Sequence, residues 1–342
     1  MTRPFPFGIP YLVVAALLAG CATASPRIDR RELELAQEFY EVKALRHSYG
    51  QILRVRTVGE RLLAVVPPHL RSKNPQPSIG ILLDDLTPAS GRVFGVSHSK
   101  ERACLIAGVL PDSPAARAGL QAGDLLVGAG SRKVRTPREA AAALGAAKPG
   151  SLIVLTLERE GVRFERSAVA GAKPYPVVFS VLDSEEVNSF AAPGQIVVTS
   201  GLLRFVISDD ELAVVMGHEL AHLTQGHIAK RMGTGLIGGT IGIILGTAVE
   251  ILIPGGGDVI SQAASAGIQA PFSQDFEREA DRVGLSYTYL AGYRVEAGID
   301  FWDRFATELP RSISKSFFNT HPTSPERLLR LKKAIAELKA GS

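Results

Sequence analysis

Apolar residues along this chain change their spacing several times, and each change predicts a different kind of element. Residues 9–18 form a near-continuous apolar run behind Arg3. Over residues 29–63 the spacing becomes helical: Leu33, Leu35, Phe39, Val42 and Leu45 share one face, and Ile52, Val55, Val58, Leu62 and Leu63 continue it. Gly50 is expected to divide this stretch into two helices, and Pro67, Pro68, Pro75 and Pro77 then stop helical structure. Residues 78–171 carry short apolar runs separated by turn residues, a strand-rich pattern. Residues 177–182 and 195–199 are strand-like, with 188–194 between them, and predict a sheet edge just before the next helix. In that helix Leu212, Val215, Met216, Leu220 and Leu223 recur at helical spacing, Ser208, Asp209 and Asp210 offer caps, and Glu211 sits in the first turn. Residues 233–249 carry no charge and are rich in glycine. They fall short of a bilayer span and are read as a helix packed closely through its glycines, in preference to a mobile or membrane-touching flap. Amphipathic helices follow over 283–290, 301–309 and 326–339. The sum is an α+β chain, mostly helical, with one β-rich insertion.

The chemistry concentrates in VVMGHELAHLTQGH, residues 214–227. Two histidines four apart on a helix, His218 and His222, stand about 40° apart around the axis and ~6 Å apart along it, so both imidazoles reach one metal ion. Glu219 leans towards the same place without occupying a ligand position. That is the equipment of a zinc hydrolase: two neutral nitrogen ligands and a carboxylate to take a proton from activated water. A surface helix with two incidental histidines is the plain alternative, but apolar flanks would then bury lone charges at a cost. A third ligand is required. His227 is the nearest candidate, yet the metzincin pattern wants Gly and His where Gln225 and Ile228 stand, so that class is excluded. The better candidate lies in DFEREADRVG, where Glu277 and Asp281 are four apart on a second predicted helix. There Glu277 can bind the metal while Asp281 orients a ligand histidine through its other ring nitrogen. A lone His321 before Pro322 is more often a turn residue; beside a zinc site it becomes a candidate fourth ligand or transition-state donor.

Composition narrows the setting. With 342 residues and 46% hydrophobic content the chain is long enough for two domains. Lys+Arg 38 against Asp+Glu 34 leaves a net charge of +4, without the basic runs or aromatic-interleaved patches of nucleic-acid binding. Residues 1–20 read as a targeting segment, too short in its apolar part to span a bilayer comfortably. It ends in Leu18-Ala19-Gly20-Cys21, which resembles a bacterial lipobox and implies cleavage before Cys21 and lipid attachment to its thiol. Ala22 replaces the Asp of inner-membrane retention, so the expectation is an outer-membrane lipoprotein facing the periplasm. Cys104 is then left without a disulfide partner and is expected in a core.

The segment GVLPDSPAARAGLQAGDLLVGAG, residues 108–130, resembles a PDZ domain. The resemblance implies a strand ending at Val109, a short helix opened by Ser113 and Pro114 and closed by Gly119, and a turn at Gly123-Asp124 into a strand over 125–127. It also implies a peptide-lining helix over 136–144 and a closing strand over 151–158. The segment that usually holds the carboxylate-binding loop, near Phe94-Gly95-Val96, is poorly matched. Such a domain binds an extended peptide along a sheet edge, so a peptide ligand is expected, against the alternative of a PDZ-shaped spacer.

With HELAH, then FEREAD some fifty residues later, then THP and an Arg, the chain resembles the M48 family of zinc metalloproteases. It is similar to the soluble periplasmic BepA-like branch more than to the polytopic one. The resemblance implies a mostly helical gluzincin-type domain with one Zn2+ per chain, held by His218, His222 and Glu277, with Glu219 as general base and Asp281 behind the ligands. It implies that His321 can cap the zinc and hold the enzyme latent. The organisation it suggests is a signal peptide over 1–20, N-terminal helices over 21–74, a PDZ-like domain over 75–172 and the catalytic domain over 173–342. The expected activity is an envelope zinc endopeptidase acting on misfolded or stalled proteins. A lipid-anchored PDZ scaffold or chaperone with structural zinc is the rival. Structural zinc sites are usually closed and cysteine-rich, however, and have no use for Glu219.

Overall fold

The computed structural model describes residues 28–97, 102–232, 272–308 and 325–341. The targeting segment with Cys21, the glycine-rich stretch 233–249 and the turn around His321 lie outside them. Among the described residues no helix is long and apolar enough to cross a membrane. The chain divides into two units, Met1–Glu41 and Val42–Ser342. In the first, Asp29 accepts a hydrogen bond from the Arg31 amide, and Leu33, Leu35, Phe39 and Tyr40 are exposed.

Helix α1 runs unbroken over Arg30–Ala64, so Gly50 does not divide it. A mid-helix glycine costs about 1 kcal/mol. Packing on both sides of that position outweighs this. Tyr49 packs with Leu82 and Ala107 of a neighbouring sheet and with Val93 of the helix beside it, while Val55, Val58, Leu62 and Leu63 enter the largest core. A Cβ at Gly59 would lie 2.4 Å from the Phe179 ring, so that side of the helix is in close contact with a strand.

Strands β1 (Gln76–Ser78) and β2 (Ile81–Asp85) are followed by helix α2 (Pro88–Phe94), capped by Thr87. Then come β3 (Cys104–Val109), α3 (Pro114–Arg117), β4 (Leu125–Ala129), β5 (Arg132–Lys133), α4 (Pro137–Gly145), β6 (Leu152–Arg159), β7 (Val162–Val169) and β8 (Gly171–Lys173). The sheet has the order β2-β3-β4-β6-β7 with β5 beside β4, and every pairing is antiparallel. Ser113 caps α3, Gly119 follows it with φ +78°, and Thr136 caps α4, as the PDZ resemblance implies. Phe94-Gly95-Val96, poorly matched to a carboxylate-binding loop in sequence, does not form one. Phe94 ends α2, Gly95 closes it at φ 72°, and the Val96 amide donates to the Gly91 carbonyl, so this is a helix terminus. β2 is one end strand of this sheet and β7 the other. Cys104 is buried in the sheet core, where desolvation pushes its thiol up. β1 and β8 pair antiparallel where the chain enters and leaves this region, and Lys173 reaches Glu60 of α1 at 3.4 Å.

The remainder is helical around a small sheet of order β10-β11-β9: β9 (Val178–Leu182), β10 (Ser189–Ala192) and β11 (Gln195–Thr199). β9 runs parallel to β11, and β10 antiparallel, as an end strand against which the next long helix packs. Helices α5 (Ser200–Phe205), α6 (Asp209–Thr224), α7 (His227–Met232), α8 (Gln274–Leu290), α9 (Ala297–Glu308) and α10 (Pro325–Ala340) follow. The fold is α+β.

Candidate metal centre

Helix α6 starts where the sequence indicates: Ser208 Oγ accepts from the Glu211 amide at 3.2 Å. Glu211 itself is buried, accepts from the Ile207 amide, and is gripped by Arg304 of α9 through contacts of 3.0 and 2.6 Å. From Glu211 to Thr224 every residue is buried, so α6 is an interior helix rather than an amphipathic one.

Helix α8, capped by Ser273, lays Glu277, Asp281, Gly284 and Thr288 along one face against α6. Gly217 and Gly284 meet at the crossing, and the Thr288 hydroxyl donates to the Ala213 carbonyl at 3.2 Å. That close approach brings two pairs of residues, each four apart, into one cluster. His218 Nε2 and His222 Nε2 are 3.1 Å apart; Glu277 Oε2 is 3.5 Å from the first and Oε1 3.2 Å from the second. Three ligand atoms at 2.0–2.1 Å from a tetrahedral zinc would stand about 3.3 Å apart. The three side chains therefore fit a metal of that size, and two imidazoles with a carboxylate are a donor set that zinc accepts. Glu219, 1% exposed, follows His218 on α6.

Behind the cluster, His218 Nδ1 lies 3.0 Å from Asp281 Oδ1. Arg327 of α10 holds both Asp281 oxygens, Nε at 3.0 Å and Nη2 at 2.7 Å, and stacks over Trp302 at 4.2 Å. Burial alone would raise the Asp281 carboxyl, but Arg327 and the His218 hydrogen bond bring it down to about 2. Burial likewise pushes His218 down, and Glu277 with Asp281 outweighs it, raising the imidazole. Asp281 therefore stays ionised behind His218.

Spacing alone does not reveal a second set of neighbours. His227, considered for a ligand position, stands behind His222 with its Nδ1 3.0 Å from His222 Nδ1. Its Nε2 is 3.0 Å from Glu279 Oε2, and burial pushes the imidazole down. Phe272 stacks on His222 with ring centres 3.9 Å apart, and Phe276 on His227 at 4.3 Å. Phe272 stands four residues before FEREAD and Phe276 is its first residue, a signal visible only once the histidines they cover are known. His321 and Cys21 lie outside the described residues.

Comparison with known proteins agrees with this geometry. The profile of peptidase family M48 matches residues 141–335, more than half of the chain, and that of the PDZ domain matches residues 105–159. The mitochondrial metalloendopeptidase OMA1 of Arabidopsis thaliana is 30% identical over 155 residues, covering 45% of this chain and 30% of that protein. The beta-barrel assembly-enhancing protease of Yersinia pestis is 30% identical over 176 residues, 48% of this chain and 35% of that one. The putative beta-barrel assembly-enhancing protease of Vibrio cholerae is 33% identical over 162 residues, 45% and 33% respectively. The chain thus spans about a third of the length of these relatives. Among solved structures, the HtrA-type protease AlgW with decapeptide matches 30% of this chain and 31% of that one at 26% identity, with a TM-score of 0.28, too low to bear on the fold. Two helices that bring HELAH against FEREAD, together with a profile match over most of the helical region, lead to one conclusion: the chain belongs to peptidase family M48.

Proposed function

We propose that this protein is a zinc-dependent endopeptidase of the bacterial cell envelope. One observation carries the reading: the ligand atoms of His218, His222 and Glu277 converge within 4.8 Å of one another, with Glu219 buried next to His218. His218, His222 and Glu277 would hold the metal, which when bound lowers the pKa of water to about 7 and polarises a carbonyl. Glu219 takes a proton from the water as its oxygen adds to the scissile carbon. It then passes that proton to the departing amine as the C–N bond breaks. Asp281, fixed by Arg327, keeps His218 turned towards the metal. The end strand β10, against α6, is the surface along which an extended substrate backbone would align. His321 is proposed as a cap on the metal that holds the enzyme latent.

The organisation follows the same lines: a signal peptide over 1–20, lipidation at Cys21, N-terminal helices over 21–74, a PDZ domain over 75–172 and the catalytic domain over 173–342. Pairing of β1 with β8 supports the insertion, because strands at 76–78 and 171–173 close off the sheet between them. The PDZ domain would take an extended peptide along β2, the end strand beside α4. Similarity to the beta-barrel assembly-enhancing proteases supports an envelope location, with misfolded or stalled envelope proteins as substrates.

The test is casein cleavage by the purified chain, before and after a zinc chelator and after zinc is restored. Cleavage that is lost and then regained supports the reading. Cleavage indifferent to the chelator contradicts it, and zinc binding without any cleavage, also in His321→Ala, turns the account to a scaffold.

A further inference from the structure

His227 stands five residues after His222, and on a continuous helix it would point about 140° away from it. The chain prevents this by ending α6 at Thr224 and turning through Gly226, whose φ is 69°, before α7 begins at His227. The turn brings the His227 ring back behind His222, fully buried and stacked on Phe276 at an interplanar angle of 13°. The two Nδ1 atoms are 3.0 Å apart, so one must donate and the other accept. His222 directs Nε2 at the ligand cluster and therefore carries its proton on Nδ1. His227 must then accept at Nδ1 and carry its own proton on Nε2, which lies 3.0 Å from the Glu279 carboxylate.

We propose that His227 and Glu279 are positioning residues for the metal, a hydrogen-bonded relay that fixes the tautomer and the ring plane of His222. The inference rests on the reading of His218, His222 and Glu277 as metal ligands. The two ligand histidines are then held by different means. His218 Nδ1 faces the Asp281–Arg327 pair directly at 3.0 Å, whereas His222 donates to a neutral imidazole that is itself oriented by a carboxylate. A neutral acceptor leaves one fewer full negative charge against the cluster, and places that charge at the half-exposed end of the chain, on Glu279.

The test uses the full chain with His227→Phe, His227→Asn, Glu279→Leu and Glu279→Gln. Zn2+ affinity is measured by competition with a chromophoric chelator, and the visible bands of bound Co2+ report the ligand geometry. His227→Phe keeps the ring stacking and removes the acceptor, so zinc affinity should fall 10–100-fold and the Co2+ bands should shift. His227→Asn restores an acceptor near the Nδ1 position and should recover most of that loss. Glu279→Leu should weaken zinc in the same direction, while Glu279→Gln, which still accepts, should stay near wild type. Should His227→Phe fail to fold by circular dichroism, Glu279→Leu at its exposed site decides. Unchanged affinity and spectra in the folded variants would overturn the relay alone. A wild-type chain that binds no Zn2+ would overturn the metal reading and the relay with it.

Discussion

Gly217 and Gly284 face each other where α6 crosses α8, and neither position has room for a methyl group. A Cβ on Gly284 would lie 2.7 Å from the His218 amide nitrogen, and one on Gly217 would lie 2.9 Å from the Gly284 carbonyl oxygen. These contacts are with backbone, which cannot swing aside as a side chain does. The separation of the histidine pair from the carboxylate pair is therefore set by two hydrogen atoms at the crossing.

Gly284→Ala should force the helices apart, destabilise the fold by about 1–3 kcal/mol and weaken zinc binding at the same time. Thermal unfolding and zinc competition on one preparation check both effects. Gly50→Ala is the control: a Cβ there meets nothing within 4 Å. In the middle of α1 it should stabilise the protein by roughly 0.5–1 kcal/mol.

The Arg327–Asp281 pair is bidentate, with Arg327 buried and the Asp281 side chain 12% exposed, and Asp281 lies 3.0 Å from His218. Arg327→Ala leaves the Asp281 charge in the interior without its main partner, which typically costs about 3–5 kcal/mol. Urea unfolding of the metal-free protein measures that loss separately from any effect on zinc.

Asp84 supplies the pH dependence. It is buried on β2 and accepts from the Tyr49 hydroxyl of α1 at 2.5 Å. Burial raises its carboxyl more than the hydrogen bonds from Tyr49 and the Asp85 amide lower it. A folded pKa above the unfolded one means that the stability contributed by protonation is full below the unfolded value. That stability is lost as pH rises through the folded value. Asp84→Asn cannot ionise, so its melting temperature should exceed that of wild type at pH 7.5. The two should converge towards pH 3.5; a constant gap would contradict the sign.

The elements carrying the chemistry were the most legible in the sequence, because their spacing is regular. His218 with His222 and Glu277 with Asp281 are both i,i+4 pairs, and the structure brings the two pairs together. Capping was equally plain at Ser208, where a short hydroxyl precedes a helical run. What escaped depended on partners distant in sequence. α1 continues through Gly50 because packing on two sides overrides a local propensity. The His227 relay escaped because Gly226 breaks the helical spacing that revealed His222. β7 alternates Val162, Phe164 and Arg166 at a mostly exposed end of the sheet, so its pattern is weak, and β1 is three residues containing a proline. Phe94-Gly95 resembles a loop locally, yet the Thr87 and Ser90 capping box starts a helix that runs up to it, and Gly95, left-handed at φ 72°, ends that helix.

Zinc should also act on the fold, since the ligands proposed for it come from two helices that meet only in the native state. At a free zinc concentration of 100 Kd the gain is about 2.7 kcal/mol, read as a rise in melting temperature between chelator-treated and zinc-loaded protein. No rise at saturating zinc would mean that the metal binds elsewhere or equally well to the unfolded chain.

In the proposed mechanism Glu219 handles the proton while other side chains hold the metal. Its most direct test is to measure zinc content and casein cleavage in Glu219→Gln beside wild type. The account predicts near one zinc per chain in both proteins, with cleavage in the variant reduced at least 10²–10⁴-fold. A variant that loses its zinc would make Glu219 part of the metal-holding set. One that cuts casein as wild type does would remove it from the chemistry altogether.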